Sequence, residues 1–352
     1  MKALLFFPLF ALFLAGCGGS SSSGSSADNG SAQDHPWLIP ADQVLDGGPG
    51  KDGIPSIDDP TFLVPEQAQT MNDNELVVGY LTETGPRAIP HRILDWHEIV
   101  NDQVDGTPVA VNYCPLTGSA LLWEASLSAA DPTYGVSGLL YNSNLILYDR
   151  ETDSYWSQML AQAVRGPRAG EEAKRLPLVE TTWGTWRELY PDTRVMSTDT
   201  GFSRNYDRYP YGSFRTDNSL IFPVSENDER LHRKTRVLGI QLDNYHRVYP
   251  IEAFTDETQV INQVNEAYVV VGSAERNFAV AYSALLDDGT QLTFSVLDEG
   301  PAVFEDNEGT HWNLFGQAIA GPREGEQLEL LFSYTAYWFA WAAFYPGTEI
   351  QL

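Results

Sequence analysis

The chain has 352 residues and a formal net charge of −27, from 48 Asp and Glu against 21 Lys and Arg. A surface this acidic repels phosphate backbones, which argues against a nucleic-acid partner. The 43% share of hydrophobic residues, with 9 Trp, 17 Tyr and 16 Phe, excludes a disordered chain and suffices for two aromatic-rich globular units.

The first element reads as an export signal. Lys2 precedes an apolar stretch, Ala3 to Leu14, too short for a spanning helix, which needs about 20 apolar residues. It ends in Leu14-Ala15-Gly16-Cys17, the small-residue pattern of a lipoprotein cleavage site. Residues 1–16 are therefore expected to leave as a signal peptide. Cys17 becomes the lipidation site, and two or more acyl chains attach the chain firmly to a membrane. Residues 17–34, rich in Ser and Gly, form a flexible tether. Gly18, rather than Asp, after Cys17 points to the periplasmic face of the outer membrane. Residues 35–75 are rich in Pro and Asp and are expected to wrap the following unit as extended segments and turns.

From residue 76 onward the signals are mostly strand. Glu75 to Leu81 and Arg87 to Ile89, joined through Gly85-Pro86, read as a hairpin. Pro108 to Tyr113, Ser119 to Trp123, Tyr134 to Ser137, Leu145 to Tyr148 and Tyr155 to Gln158 follow as short strands. Two short helices are expected. One starts at Asp95, which has capping-box spacing to Glu98. The other covers TTWGTWRELY, with Trp183 and Trp186 on one face and Pro191 beyond its end.

Residues 166–195 and 321–350 match without gaps, keeping Gly166/Gly321, Pro167/Pro322, Arg168/Arg323, Trp183/Trp338, Trp186/Trp341 and Tyr190/Tyr345 in register. Upstream, Gly79, Arg87 and Pro90 match Gly239, Arg247 and Pro250, and Trp156 matches Trp312. The expected fold is mainly β (α+β), two tandem barrel- or roll-like modules at 76–196 and 237–352, each with one or two short helices. Residues 197–236 form a packed linker between them.

The repeat separates structure from function. Residues present in both copies serve folding; residues of one copy are candidates for a site. Cys114 corresponds to Ala274, His91 to Ile251 and His97 to Glu257, so the first module is the candidate active copy. With Cys17 committed to lipid, Cys114 is the only thiol left and has no disulfide partner. Three readings follow. Cys114 with His91, His97 and Met159 forms a copper or zinc site, soft and borderline ligands suiting those metals. Cys114 is a nucleophile activated by His91 or His97, with Arg92 or Arg150 adding charge and Asp95 or Asp149 orienting the imidazole. The third, which the tandem β architecture favours, is a non-catalytic module that binds an envelope protein or small ligand. Ser157 and His232 are secondary candidates, and both catalytic and metal readings require Cys114 to lie beside His91 or His97. Asp149-Arg150 also reads simply as a hairpin turn.

The phrases WHEIVND, NYCPLTGSALLWE, YGVSGLLYNSNLILYDRETDSYWSQ, TTWGTWRELYPDT and RLHRKTRVLGI resemble the bacterial family known as domain of unknown function 3179. The resemblance spans about residues 70–352. It implies an exported, often lipid-anchored envelope protein and no established activity. Some members of that family carry a second Cys in the turn, as CPLC, where this chain has Thr117. That departure counts against a two-thiol redox or metal centre.

Overall fold

The computed structural model describes residues 35–67, 71–125 and 132–351. The signal peptide, Cys17 and the tether lie outside the described residues. Residues 35–352 form one compact unit, mainly β with few helices. No described helix is long and apolar enough to cross a membrane.

The first sheet has the order Val179–Thr182, Leu76–Thr82, Gly85–Pro90, Arg194–Met196, Phe62–Leu63, with Arg194–Met196 parallel to Gly85–Pro90. The second has the order Arg175–Leu176, Ser119–Glu124, Thr107–Cys114, Ile99–Val104. The third runs Val44–Asp46, Tyr134–Tyr141, Asn144–Asp149, Tyr155–Ser157, Gln162–Arg165. Segment 35–67 supplies an edge strand to the first and third sheets, and Ile57 bridges to Val100 of the second. Arg150 fixes this segment through Asp52, Asp58 and Ser56.

The later half repeats this layout. One sheet has the order Phe332–Tyr337, Arg236–Leu242, Tyr245–Pro250, Glu349–Ile350, with the last strand again parallel. The second comprises Gln259–Gln263, Tyr268–Ser273 and Phe278–Ser283, and the third Phe294–Glu299, Ala302–Asp306, His311–Trp312 and Ala318–Ala320. All six are open sheets; among the described residues none closes into the barrel expected from sequence. Each sheet ends in two strands with a neighbour on one side only, whereas a sheet closes only when every strand is paired on both sides.

Residues kept in both halves do the same structural work twice. The indole N–H of Trp156 donates to Asp149 at 2.9 Å, and that of Trp312 donates to Asp306 at 3.0 Å. Trp186 donates to Thr193 and Trp341 to Thr348. A Cβ on Gly79 would fall 2.2 Å from the Trp186 ring, and one on Gly239 would fall 2.2 Å from the Trp341 ring. Only glycine lets these indoles lie flat on the strand.

Two of the cores are shared between the halves, while others stay within one half. The sheet and helix of the later half, Phe332–Tyr337 and Trp338–Phe344, pack with Cys114, Trp123, Trp156 and Met159 of the earlier half. Reciprocally, Val77, Trp183 and Trp186 pack with Val269, Phe304, Trp312 and Phe315. Backbone bonds seal both exchanges: Tyr337 N–H donates to Thr117, and Thr182 N–H to Arg276.

The helix expected to begin at Asp95 instead spans His91–His97. Pro90 precedes it in extended conformation, the arrangement of a proline at a helix start. Glu98 is its C-cap and Ile99 and Val100 belong to the next strand, so the capping-box spacing is coincidental. The second helix, Trp183–Leu189, follows expectation, with the Thr182 hydroxyl accepting from Thr185 N–H.

Candidate functional site

Thr107–Cys114 lies in a sheet covered on both faces, so successive side chains enter different cores. Ala110 and Cys114 face one core; Val109, Val111 and Tyr113 face the other. This alternation decides the fate of the sequence candidates. The His91 ring packs on Tyr113, with centroids 4.7 Å apart, and so lies across the sheet from the Cys114 thiol. His97 is fully buried, its Nδ1 2.8 Å from the Pro55 carbonyl and its Nε2 2.7 Å from the Tyr206 hydroxyl. The expected juxtaposition of Cys114 with His91 or His97 is therefore not formed.

Cys114 is buried, and its thiol points at the Ser143 carbonyl at 3.7 Å. Burial, reinforced by nearby Glu98, pushes its pKa up to about 11, which suppresses the thiolate that nucleophilic chemistry needs. No group of three or more His, Cys, Asp or Glu suited to a metal occurs among the described residues. Met159 lies in the core, its carbonyl accepting from the Tyr334 and Tyr345 hydroxyls. Asp149 caps its turn and Trp156, and Arg150 holds segment 35–67, so neither serves Cys114. Arg92 pairs with Asp207 and lies near Glu75. Ser157 is buried with no hydrogen-bond partner for its hydroxyl among the described residues. His232 is exposed, its Nδ1 accepting from Lys234 N–H.

One face of the 114–119 turn meets a neutral polar network. Asn144 donates to Thr117 and to Gln158, and Gln158 donates to the carbonyls of Asn112 and Ser119. At the corresponding strand position the later half has Gly272 in place of Asn112, and Asn277 falls where Ser119 lies. This network holds the turn rigid under Tyr337. Gly118, at φ +59°, leaves room for that ring, since a Cβ there would sit 2.9 Å from it.

Beside the turn lies a buried cluster of ionisable groups, of which sequence reasoning found only part. His91 Nε2 lies 3.0 Å from Glu180 Oε2, and neither atom has another polar partner among the described residues. Glu180 also pairs with Arg236, whose Nε donates to Asn277 at 3.1 Å. Arg215 pairs with Asp95 and donates to the Tyr113 hydroxyl at 3.3 Å. The Tyr211 hydroxyl reaches Glu98 at 3.4 Å. The contributors come from helix His91–His97, strand Val179–Thr182, the linker and the start of the later half.

The carboxyls in this cluster are held in different states. Burial works to raise Glu180, but Arg236 and then His91 outweigh it and hold it down at about 2. Burial raises Asp95 to about 7 despite Arg215. Burial raises Glu98 to about 8, only partly offset by Tyr211. Burial also lowers His91, which is neutral near pH 7. Glu98 sits at φ 59°, a region that disfavours a long side chain. Perturbed carboxyls and backbone strain at one place are marks of a functional site.

The registers show which members belong to the earlier half alone. Val78 opposes Glu180, whereas Leu238 opposes Thr335. Ile99 opposes Asn112 and Gln259 opposes Gly272, which sets Glu98 against Thr258, Tyr113 against Ser273 and Asp95 against Thr255. Every charged or phenolic member from the earlier half thus has a neutral counterpart. Glu180/Thr335 was visible in the ungapped repeat. Arg215 was not, because the linker has no second copy.

Residues 51–348 match the model of a family described as protein of unknown function (DUF3179). No curated protein and no solved structure matches the chain.

Proposed function

We propose a function from the premise that the chain belongs to the protein family of unknown function DUF3179: it is a lipid-anchored cell-envelope protein that binds a small polar ligand at the buried cluster of its earlier half. The halves are two copies of one module, the first keeping a site and the second serving as its structural partner. Cys17 carries the lipid, and the periplasmic face of the outer membrane is the location that Gly18 favours.

The observation that carries the reading is the convergence of His91, Asp95, Glu98, Tyr113 and Glu180, separated along the chain, into one cluster whose counterparts are all neutral. A cluster needed only for folding would be expected in both halves. Linker residues Tyr211 and Arg215 cover it, so the ligand enters when this cover moves. Arg215, with its side chain one-third exposed, is the member solvent reaches first.

A second reading is acid–base catalysis at the same cluster, favoured by the contrast between Glu180 at about 2 and Glu98 at about 8. A turnover assay on any ligand found separates the two.

The test is a thermal-shift panel of amino acids, small carboxylates, sugars and nucleotides on the full chain in nanodiscs. A ligand at a hundredfold excess over its Kd adds about 2.7 kcal/mol and raises Tm by several degrees. At least one class is expected to do so with wild type and to lose most of the shift with Arg215→Gln and Asp95→Asn. Shifts unchanged in both variants, or no shift with any class, would overturn the proposal.

A further inference from the structure

A second site is marked by an arginine that lacks a carboxylate. Arg175 lies on the edge strand Arg175–Leu176, paired with Trp123 and Leu122. Its guanidinium donates once, to the Leu331 carbonyl at 3.3 Å, and its Cζ lies 4.1 Å from the centroid of the Phe332 ring. It forms no ion pair among the described residues, whereas the comparably sheltered Arg87, Arg150, Arg236, Arg247 and Arg323 each do. Burial accordingly moves the pKa of Arg175 down, while those of Arg87, Arg236 and Arg247 are raised. A guanidinium has five N–H donors, so among the described residues most of this one's capacity is unused.

Arg175 faces a cleft of about 470 Å³ between the halves, walled by Phe332 and Tyr345 and edged by Gln162, Gln241 and Glu172. That volume is in the range of small-molecule sites, about 300–1,000 Å³. In the ungapped repeat Arg175 corresponds to Leu330, so the cation belongs to one half only. A sheltered guanidinium over an aromatic wall suits a planar carboxylate, which it grips with two parallel bonds. Glu172, exposed at the edge, disfavours a dianion such as phosphate.

We propose that this cleft binds a small organic monocarboxylate, its carboxylate on Arg175 and its body against Phe332 and Tyr345. The site shares no residue with the buried cluster and stands or falls separately from it.

The test uses 4-fluorobenzoate, followed by fluorine NMR, with the full chain in nanodiscs and empty nanodiscs as baseline. Saturable binding is expected, weakened at least tenfold by Arg175→Leu and unaffected by Arg194→Gln, an exposed arginine of another sheet. Neither neutral 4-fluorobenzamide nor inorganic phosphate should compete. A wild-type measurement covers the case of a misfolded variant: 4-fluorobenzoate should slow butanedione modification of Arg175 at least fivefold, read by peptide mass spectrometry, and leave Arg204 unaffected. Absent or unsaturable binding, equal binding to Arg175→Leu, competition by phosphate, or no protection of Arg175 would overturn the proposal.

Discussion

Glu98 shows at the residue scale how burial makes a carboxyl a liability. Its folded pKa, about 8, lies above the ordinary carboxylate value. Folding therefore favours the protonated form. Its contribution to stability is complete below the unfolded pKa, near 4, and is lost as pH rises through about 8. Glu98→Gln, which cannot ionise, should leave stability nearly unchanged at pH 5 and raise it at pH 9, measured by urea unfolding at both values. Equal effects at the two pH values would show that Glu98 is not held neutral. Glu180 behaves oppositely. Its pKa, held at about 2, gives stability that is present above its unfolded value and lost as pH falls toward 2. Breaking its pair by Arg236→Met should cost about 3–5 kcal/mol near neutral pH, because a buried carboxylate is left behind. Adding Glu180→Gln to that variant should cost less than Glu180→Gln alone, a coupling read from a double-mutant cycle. Of this cluster, His91 and Asp95 were legible in the sequence as chemically able side chains, as was Cys114 outside it. Which of them group together was not. Strand alternation sends Tyr113, and with it His91, to one face and Cys114 to the other, and one-residue parity is visible only once the strand and both its covers are known.

At the element scale, the repeat foretold the Trp-bearing helices and most strands because turn residues and aromatic pairs bound them locally. The helix at His91–His97 was misplaced because Asp95 and Glu98 mimic a capping box, while Pro90 in fact sets the start and the strand beginning at Ile99 takes the chain away. The barrel expectation failed for a related reason: alternation identifies a strand but not whether its sheet closes. The sequence shows Gly79/Gly239 and Trp186/Trp341 as matched pairs; that each glycine packs tightly on its tryptophan is visible only in the structure. Gly239→Ala would place a methyl group 2.2 Å from a fully buried indole with no room to retreat. It should destabilise the fold by about 3 kcal/mol or more, beyond the ordinary cost of overpacking, as read from denaturant midpoints. A cost below about 1 kcal/mol would mean that the indole has freedom to move.

For the whole molecule, the exchange of cores outweighs the division of the sequence into two modules. Trp341 and Tyr345 complete the core around Met159, and Trp186 completes the core around Phe315. Each repeat keeps one core of its own, around Val78 and Val111 in the earlier half and Leu238 and Val270 in the later, but the core around Met159 and the core around Phe315 each need residues of both halves. A fragment of residues 35–236 should therefore lack a cooperative transition as a monomer, or pair with a second copy that supplies the missing sheet, distinguishable by circular dichroism and sedimentation. A stable, cooperatively folding monomer would contradict the exchanged arrangement. The same exchange places the cluster at a junction: Arg236 and Tyr337 of the later half close over residues of the earlier half, while the linker roofs them. The measurement that bears most directly on the central claim is hydrogen exchange of the full chain with and without the compound that raises Tm most. The account predicts that protection grows in helix His91–His97, in the 113–119 turn and in linker residues 207–217, and not in the matching 273–277 turn. Protection confined to the later half, or equal in the two turns, would contradict it.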